Sequence, residues 1–366
     1  MYSPNRLKLG LFGANCSSGL TATSAPERWA ATWDDNLALA RMADEAGIEF
    51  MLPIARWKGY GGATNFEGTS WETITWACGL LAQTERLTVF GTVHAPLVHP
   101  VFAAKQFVTT DHVSRGRFGL NVVCGWNQDE FDMFGVSSRD YDDLYDQGKE
   151  WVEVVKGLWE RTEPFDYDGR WFRLHGTIGD PKPYGGTRPI IMNAGSSPVG
   201  RAFAVAHCDF MFCGFPSHDE ARRMVHDLHA RAAELGRSTS VFTAAHLICR
   251  PTRAEAEAYY AYVADELADW DAVENMVGNN PKPARRAFYE RHRRRFAAGY
   301  GGYPLVGSPD DVARELAAIS DAGFVGLCFN LVNYLDEFPY VRDEVLPRLE
   351  RLGLREPATA ARRRAG

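Results

Sequence analysis

Eight short apolar runs alternate with segments of helical period along this chain, and that alternation restricts the possible folds more than any other feature. The runs fall at residues 7–12, 50–54 and 87–92, in the stretch Gly116-Arg117-Phe118-Gly119-Leu120-Asn121-Val122-Val123-Cys124-Gly125-Trp126, and at 190–193, 209–213, 241–249 and 325–329. Helices are predicted over 33–46, over 70–81 with Ser70 as N-cap, over 100–112, through Trp151 and Leu158, from Pro198, up to Gly236, over 252–267, from Ser308 and over 340–352. Strand followed by helix, repeated, is the pattern of parallel βα units, and eight such units close into an α/β fold, the TIM (β/α)8 barrel. At 366 residues the chain fits one barrel with insertions spanning 1–356. The insertions are a β-hairpin near 163–175, turning at Asp168-Gly169, and a segment near 269–303 that breaks the rhythm and reads as a mobile lid without regular structure. Residues 357–366 read as a disordered tail.

A barrel of this kind is packed solid inside, so ligands meet it where the strands end. Asn121 stands at such an end, an amide closing an apolar run; it either faces a ligand or satisfies a neighbouring carbonyl. Thr92 and His94 end the third strand and His246 the seventh, the last being either a catalyst or a satisfied core histidine. The loop Ala194-Gly195-Ser196-Ser197 joins a strand to a helix, where backbone N–H groups and hydroxyls either hold a phosphate or simply cap the helix. Arg139, Tyr141 and Tyr145 stand ahead of the next helix as an anion site or as a solvated helix start. Trp57, Tyr60, Phe66, Trp71 and Trp126 crowd the strand-end loops, which suits a pocket that stacks on flat rings.

Several classes are disfavoured. There is no Gly-x-Ser-x-Gly elbow, no Walker loop, and no histidine pair spaced to hold a metal, so the chemistry falls to a cofactor that the protein orients. A formal net charge of -7 argues against nucleic acid as a partner. Seven cysteines, mostly inside apolar runs and without a Cys-x-x-Cys pair, read as buried thiols of a reducing compartment, and no run reaches transmembrane length. Cytoplasmic localisation is the expectation.

The chain also resembles a known family. Lys58-Gly59-Tyr60-Gly61-Gly62, the block from Asp111 to Val123, Gly125-Trp126 with Glu130, Ala194-Gly195-Ser196-Ser197 and Glu344-Val345-Leu346-Pro347 are similar to the bacterial-luciferase-like flavin monooxygenases, and more narrowly to their pyrimidine, dimethylsulfone and alkanesulfonate branches. The resemblance implies a TIM barrel that takes FMN as FMNH2 from a separate NAD(P)H flavin reductase, and a homodimer or a dimer of dimers. It implies that Ala55, Arg56, Thr92, Asn121, Glu130, Tyr145, Gly195, Ser196 and Ser197 contact the cofactor, and that Thr92 and Asn121 place O2 beside it. His94 and His246 would move protons or orient the substrate, against Trp57, Tyr60 and Trp126. The reaction expected is oxidation, ring opening or cleavage of a small neutral carbonyl, heterocyclic amide or sulfone through a flavin peroxide. Two departures bear on substrate: Ala244 stands where the sulfonate branch has an arginine, and Ile54 where the pyrimidine branch has a methionine. A deazaflavin-dependent dehydrogenase and a non-catalytic flavin-binding protein are the alternatives.

Overall fold

The strands that build the barrel follow from alternation of side chains across a pleated backbone, one set facing in and the next facing the helices. In the computed structural model, which describes residues 1–137, 140–279 and 282–357, they are β1 (Lys8–Phe12), β2 (Phe50–Leu52), β3 (Thr88–His94), β4 (Phe118–Val123), β7 (Ile190–Asn193), β8 (Phe210–Phe212), β9 (Ser240–Cys249) and β11 (Gly326–Asn330). They pair in parallel in the order β1-β2-β3-β4-β7-β8-β9-β11, and β11 returns to β1, so the barrel closes as expected. The hairpin β5 (Phe165–Asp168) and β6 (Arg173–Thr177) stands outside it, its turn held by Glu150, whose carboxylate accepts from the N–H groups of Arg170, Trp171 and Phe172.

The barrel floor is aromatic. Phe50 packs edge-on against Phe90, Phe212 and Phe242 at 5.9, 6.4 and 5.8 Å between ring centres. Glycines on neighbouring strands make room for these rings: a Cβ on Gly119 would lie 2.5 Å from Phe90, and one on Gly326 only 1.9 Å from Phe242. Burying each phenyl ring stabilises the fold by roughly 1.5–3 kcal/mol, and the strand above each ring inherits its position.

Several boundaries differ from the sequence reading. The helix expected from Ser70 begins at Thr73, because Glu72 is the cap; its carboxylate accepts from Ile74 N at 2.9 Å and Thr75 N at 2.7 Å, while Ser70 donates to the Arg56 carbonyl. β2 ends at Leu52, just before Pro53, and β3 runs on to His94 because β4 accompanies it throughout. The terminal helix begins earlier than expected, at Tyr334, where Asn333 caps it. β10 (Tyr303–Gly307) was not expected; Pro304 is tolerated because β10 pairs only with β9.

The segment near 269–303 carries helices Trp270–Gly278, Pro283–Arg291 and Arg293–Gly299, with residues 280 and 281 outside the described residues. Several of its arginines, though exposed, have aromatic or acidic partners. Arg293 lies over Trp270 at 4.5 Å, Arg294 over Tyr260 at 4.3 Å while pairing with Asp265 at 2.9 Å, and Arg295 donates to the Gly302 carbonyl. Val273, Met276, Tyr289 and Phe296 bury a second apolar cluster with Tyr60, Phe66 and Ile248. Among the described residues no helix is long and apolar enough to cross a membrane. Of the tail expected to be disordered, 358–366 lie outside the described residues.

Candidate active site

Thr92 and Asn121 are partners in register on β3 and β4, and both share the inward face with Phe90. The Thr92 hydroxyl donates to the Pro53 carbonyl at 2.7 Å, and Asn121 Nδ2 donates to that hydroxyl at 3.1 Å. Asn121 Oδ1 is buried and meets no donor among the described residues. Behind this pair, the Thr73 hydroxyl donates to the Thr92 carbonyl at 2.6 Å and accepts from the Thr92 N–H at 3.2 Å.

Beyond β2, Arg56 is buried with its side chain 2% exposed, and its guanidinium reaches Glu67 at 2.8 Å through Nε and Glu130 at 2.7 Å through a terminal nitrogen. Tyr300, from the insertion, donates to Glu67 at 2.6 Å, and its hydroxyl lies 3.3 Å from the second terminal nitrogen of Arg56. Glu130 also accepts from Trp57 N at 3.0 Å. Burial pushes the Glu67 carboxyl above the usual carboxylate range, against the opposing pull of Arg56. Glu67 adopts a left-handed backbone, φ 56°, which a non-glycine residue holds only when its surroundings compel it. His94 Nδ1 lies 3.4 Å from the second oxygen of Glu130, and burial pushes this histidine down to about 4, so it is neutral at neutral pH.

A cavity of about 450 Å3 opens here, lined by Ala55, Arg56, Trp57, Trp71, Thr73, Thr92, His94, Leu97 and Val98 among others. Six of the residues singled out from sequence, Ala55, Arg56, Trp57, Trp71, Thr92 and His94, thus line one cavity, and Asn121 is not among its lining residues. Tyr60 is packed against Phe66 and Tyr300 with its ring 4.5 Å from the Arg56 guanidinium, and the Trp126 ring lies 5.6 Å from the same group. His246 is fully buried elsewhere, its ring 5.2 Å from Tyr260 and its two nitrogens without a partner among the described residues; burial pushes it down to about 3.

The loop after β7 is both a cap and a close approach. Ser197 accepts from Gly200 N at 3.2 Å at the start of helix Pro198–His207, and Gly195 N donates to Asn193 Oδ1 at 2.8 Å. A Cβ on Gly195 would lie 2.4 Å from the Tyr145 hydroxyl, so glycine lets Tyr145 lean over the loop. Ser196 instead lines a second cavity of about 270 Å3 with Pro198, Arg201 and Arg231. Arg139 lies outside the described residues, as does the side chain of Tyr141.

Glu67, Tyr300 and Thr73 were missed from sequence. The only signal for the first two was their place in loops already marked by glycines and aromatics, and Thr73 gave none. Among the described residues no group of three or more His, Cys, Asp or Glu side chains is set to hold a metal. The residues present are compatible with FMN in their chemistry: the Asn121 oxygen is orphaned, the cavity has aromatic and aliphatic walls in Trp57, Trp71, Leu97 and Val98, and helix Pro198–His207 turns its N-terminus to the loop after β7, although Asn121 and that loop are not among the residues lining the cavity.

Residues 7–326 match the profile of the luciferase-like monooxygenases. The chain is 29% identical over 360 residues to an FMNH2-dependent dimethylsulfone monooxygenase of Pseudomonas fluorescens, covering 96% of each. It is 30% identical over 338 residues to pyrimidine monooxygenase RutA of Cronobacter turicensis, covering 88% of each. The crystal structure of DmoA from Hyphomicrobium sulfonivorans superposes with a TM-score of 0.87 at 21% identity over 96% of this chain and 89% of that one, a likeness of fold.

Proposed function

The chain belongs to the luciferase-like monooxygenase family, and from that premise we propose that it is an FMNH2-dependent monooxygenase that places one oxygen atom from O2 on a small neutral substrate. The observation that carries this reading is the Thr92–Asn121 pair, buried at the strand ends with one acceptor left unmet above an aromatic floor. Ala55, Arg56, Asn121 and Glu130 would hold the flavin ring, and Tyr145 with Gly195, Ser196 and Ser197 its phosphate. Bound dihydro-FMN supplies the two electrons that activate O2. Thr92 and Asn121 orient the reacting partners by hydrogen bonds, and neutral His94, 3.4 Å from Glu130, accepts or returns a proton at the cavity wall.

The substrate is neutral on physical grounds. Among the described residues lining the cavity, Arg56 is the only lysine or arginine, and its guanidinium is already committed to Glu67, Glu130 and Tyr300. Ala244 adds no cation. A carbonyl compound, a heterocyclic amide or a sulfone meets Trp57 and Trp71 without stranding a charge. His246, boxed in by Tyr260, acts at most after the chain around it moves. The 269–303 segment, which reaches Arg56 and Glu67 through Tyr300, would exclude water while the flavin is reactive. A separate NAD(P)H flavin reductase supplies dihydro-FMN, the working form is a homodimer, and the compartment is the cytoplasm.

The test is to feed photoreduced FMN, or a reduced deazaflavin in its place, to the purified protein with O2 and a panel of cyclic amides and sulfones. Substrate consumption with reduced FMN alone is expected. Consumption with the deazaflavin and no need of O2 would mark a dehydrogenase instead.

A further inference from the structure

Two buried glutamates share one arginine, and their oxygens are not treated alike. Glu67 Oε2 accepts from Arg56 Nε at 2.8 Å and from the Tyr300 hydroxyl at 2.6 Å, while Glu67 Oε1 is buried and meets no donor among the described residues. Glu130 Oε1 accepts from the Arg56 guanidinium at 2.7 Å and from Trp57 N at 3.0 Å, and its other oxygen has His94 Nδ1 3.4 Å away. A carboxylate spreads its charge over both oxygens, so an ionised Glu67 would leave half of that charge bare in a dry interior, which is costly. A carboxylic acid instead has one carbonyl oxygen with two lone pairs and one hydroxyl that needs no donor. The bonding at Glu67 has this second form.

The charges around it agree. The titratable groups that face Glu67 are Arg56, Glu130, Tyr60, Tyr300, Cys16 and Tyr334, and burial pushes the thiol and the three phenols up, so these four stay uncharged. Arg56 is therefore set alone against two carboxyls, and with both ionised the cluster would hold an uncompensated negative charge at full burial. Burial also raises the Glu67 carboxyl above the usual carboxylate range. The loop holds Glu67 in a left-handed backbone, φ 56°, to bring this group to the guanidinium.

We propose that Glu67 is a positioning residue that works as a neutral carboxylic acid: its carbonyl oxygen fixes the direction of the Arg56 guanidinium without cancelling its charge, and Glu130 remains the counter-ion. Arg56 lines the cavity, so the wall it forms there carries no net charge. The consequence for ligand binding rests on the FMN reading above. An anionic cofactor meets a balanced pair, whereas ionisation of Glu67 would add a negative charge beside Arg56 and repel it.

The test compares wild type with Glu67→Gln, Glu67→Ala and Glu130→Gln in the purified full chain. Infrared difference spectra at pH 7 should show the C=O stretch of a protonated carboxyl in the wild type and its loss in Glu67→Gln. Urea denaturation between pH 5 and 8 gives the second readout. Above about 4.3 the unfolded chain has given up the Glu67 proton that the folded protein keeps, so this group's contribution is complete below that pH and falls as pH rises, by up to about tenfold in the folding equilibrium per pH unit. Glutamine has no such proton, so Glu67→Gln should gain on the wild type as pH rises, while Glu130→Gln, which strips Arg56 of its counter-ion, should lose stability throughout. In the third readout Glu67→Gln should bind FMN within about twofold of the wild type at pH 7, and Glu67→Ala about tenfold more weakly. A protonated-carboxyl band that survives in Glu67→Gln, a loss of stability in Glu67→Gln equal to that in Glu130→Gln, or FMN binding damaged alike by Glu67→Gln and Glu67→Ala overturns the proposal. Failure of the wild type to bind FMN removes the FMN reading and the third readout, and the spectra and denaturation curves then decide on Glu67 by themselves.

Discussion

Tyr300 and Arg56 stand 244 positions apart, yet the tyrosine hydroxyl lies 3.3 Å from the buried guanidinium and donates to the same Glu67 oxygen that accepts from Arg56. The insertion is thus tied to the strand-end charge cluster by one side chain. Removing one partner of a buried polar network leaves the others unsatisfied and costs more than the bond was worth. Tyr300→Phe should lower stability by about 1–3 kcal/mol, read by urea denaturation. It should also raise the share of O2 released as hydrogen peroxide. Unchanged peroxide yield would mean the contact does not help cover the site.

The aromatic floor sets the strand ends above it. In Gly119→Ala the new methyl would come within 2.5 Å of Phe90, two residues before Thr92 on the same face. Overpacking of this kind should cost about 1–3 kcal/mol in a denaturation experiment. A variant as stable as the wild type would show that the floor can yield.

Ser197 tests the phosphate end. Its hydroxyl caps helix Pro198–His207 at 3.2 Å from Gly200 N. Ser197→Ala should cost about 1 kcal/mol of stability and weaken FMN by roughly three- to tenfold. Riboflavin, which lacks the phosphate, should bind both proteins equally in fluorescence titrations. Equal weakening of both ligands would place the phosphate elsewhere.

Acid should expose the buried histidines. His94 is held down to about 4 and His246 to about 3, each chiefly by burial, against roughly 6.5 for a histidine in an unfolded chain. Below about 6.5 the unfolded chain takes up protons that the folded protein refuses. The stability these groups contribute is therefore complete above that pH and is lost as pH falls toward their folded values. His246→Leu should flatten the decline between pH 6.5 and 5, by up to about 1.4 kcal/mol per pH unit. Denaturation curves at pH 7, 6 and 5 with the same decline in both proteins would contradict this.

Much of this architecture was legible in the sequence for a physical reason. A buried strand must be apolar, so the amide of Asn121 and the hydroxyl of Thr92 stood out where their runs ended, and βα alternation closed the barrel around them. Glu67, Tyr300 and Thr73 were not legible, because each acts on a residue that only folding brings near: Arg56, Glu67 and Thr92 respectively. β10 was hidden because it follows directly on the irregular segment near 269–303 and carries Pro304, and only β9 gives it an edge to pair with. The insertion looked irregular because it breaks the βα rhythm, whereas its helices bury Val273, Met276, Tyr289 and Phe296 against residues that only folding brings near.

Mass spectrometry of the product formed under 18O2 with photoreduced FMN tests the central claim most directly. The account predicts one 18O atom in the product from an accepted amide or sulfone, with that yield lost in Asn121→Leu. A product that forms without the label, or an equal labelled yield from Asn121→Leu, would contradict it.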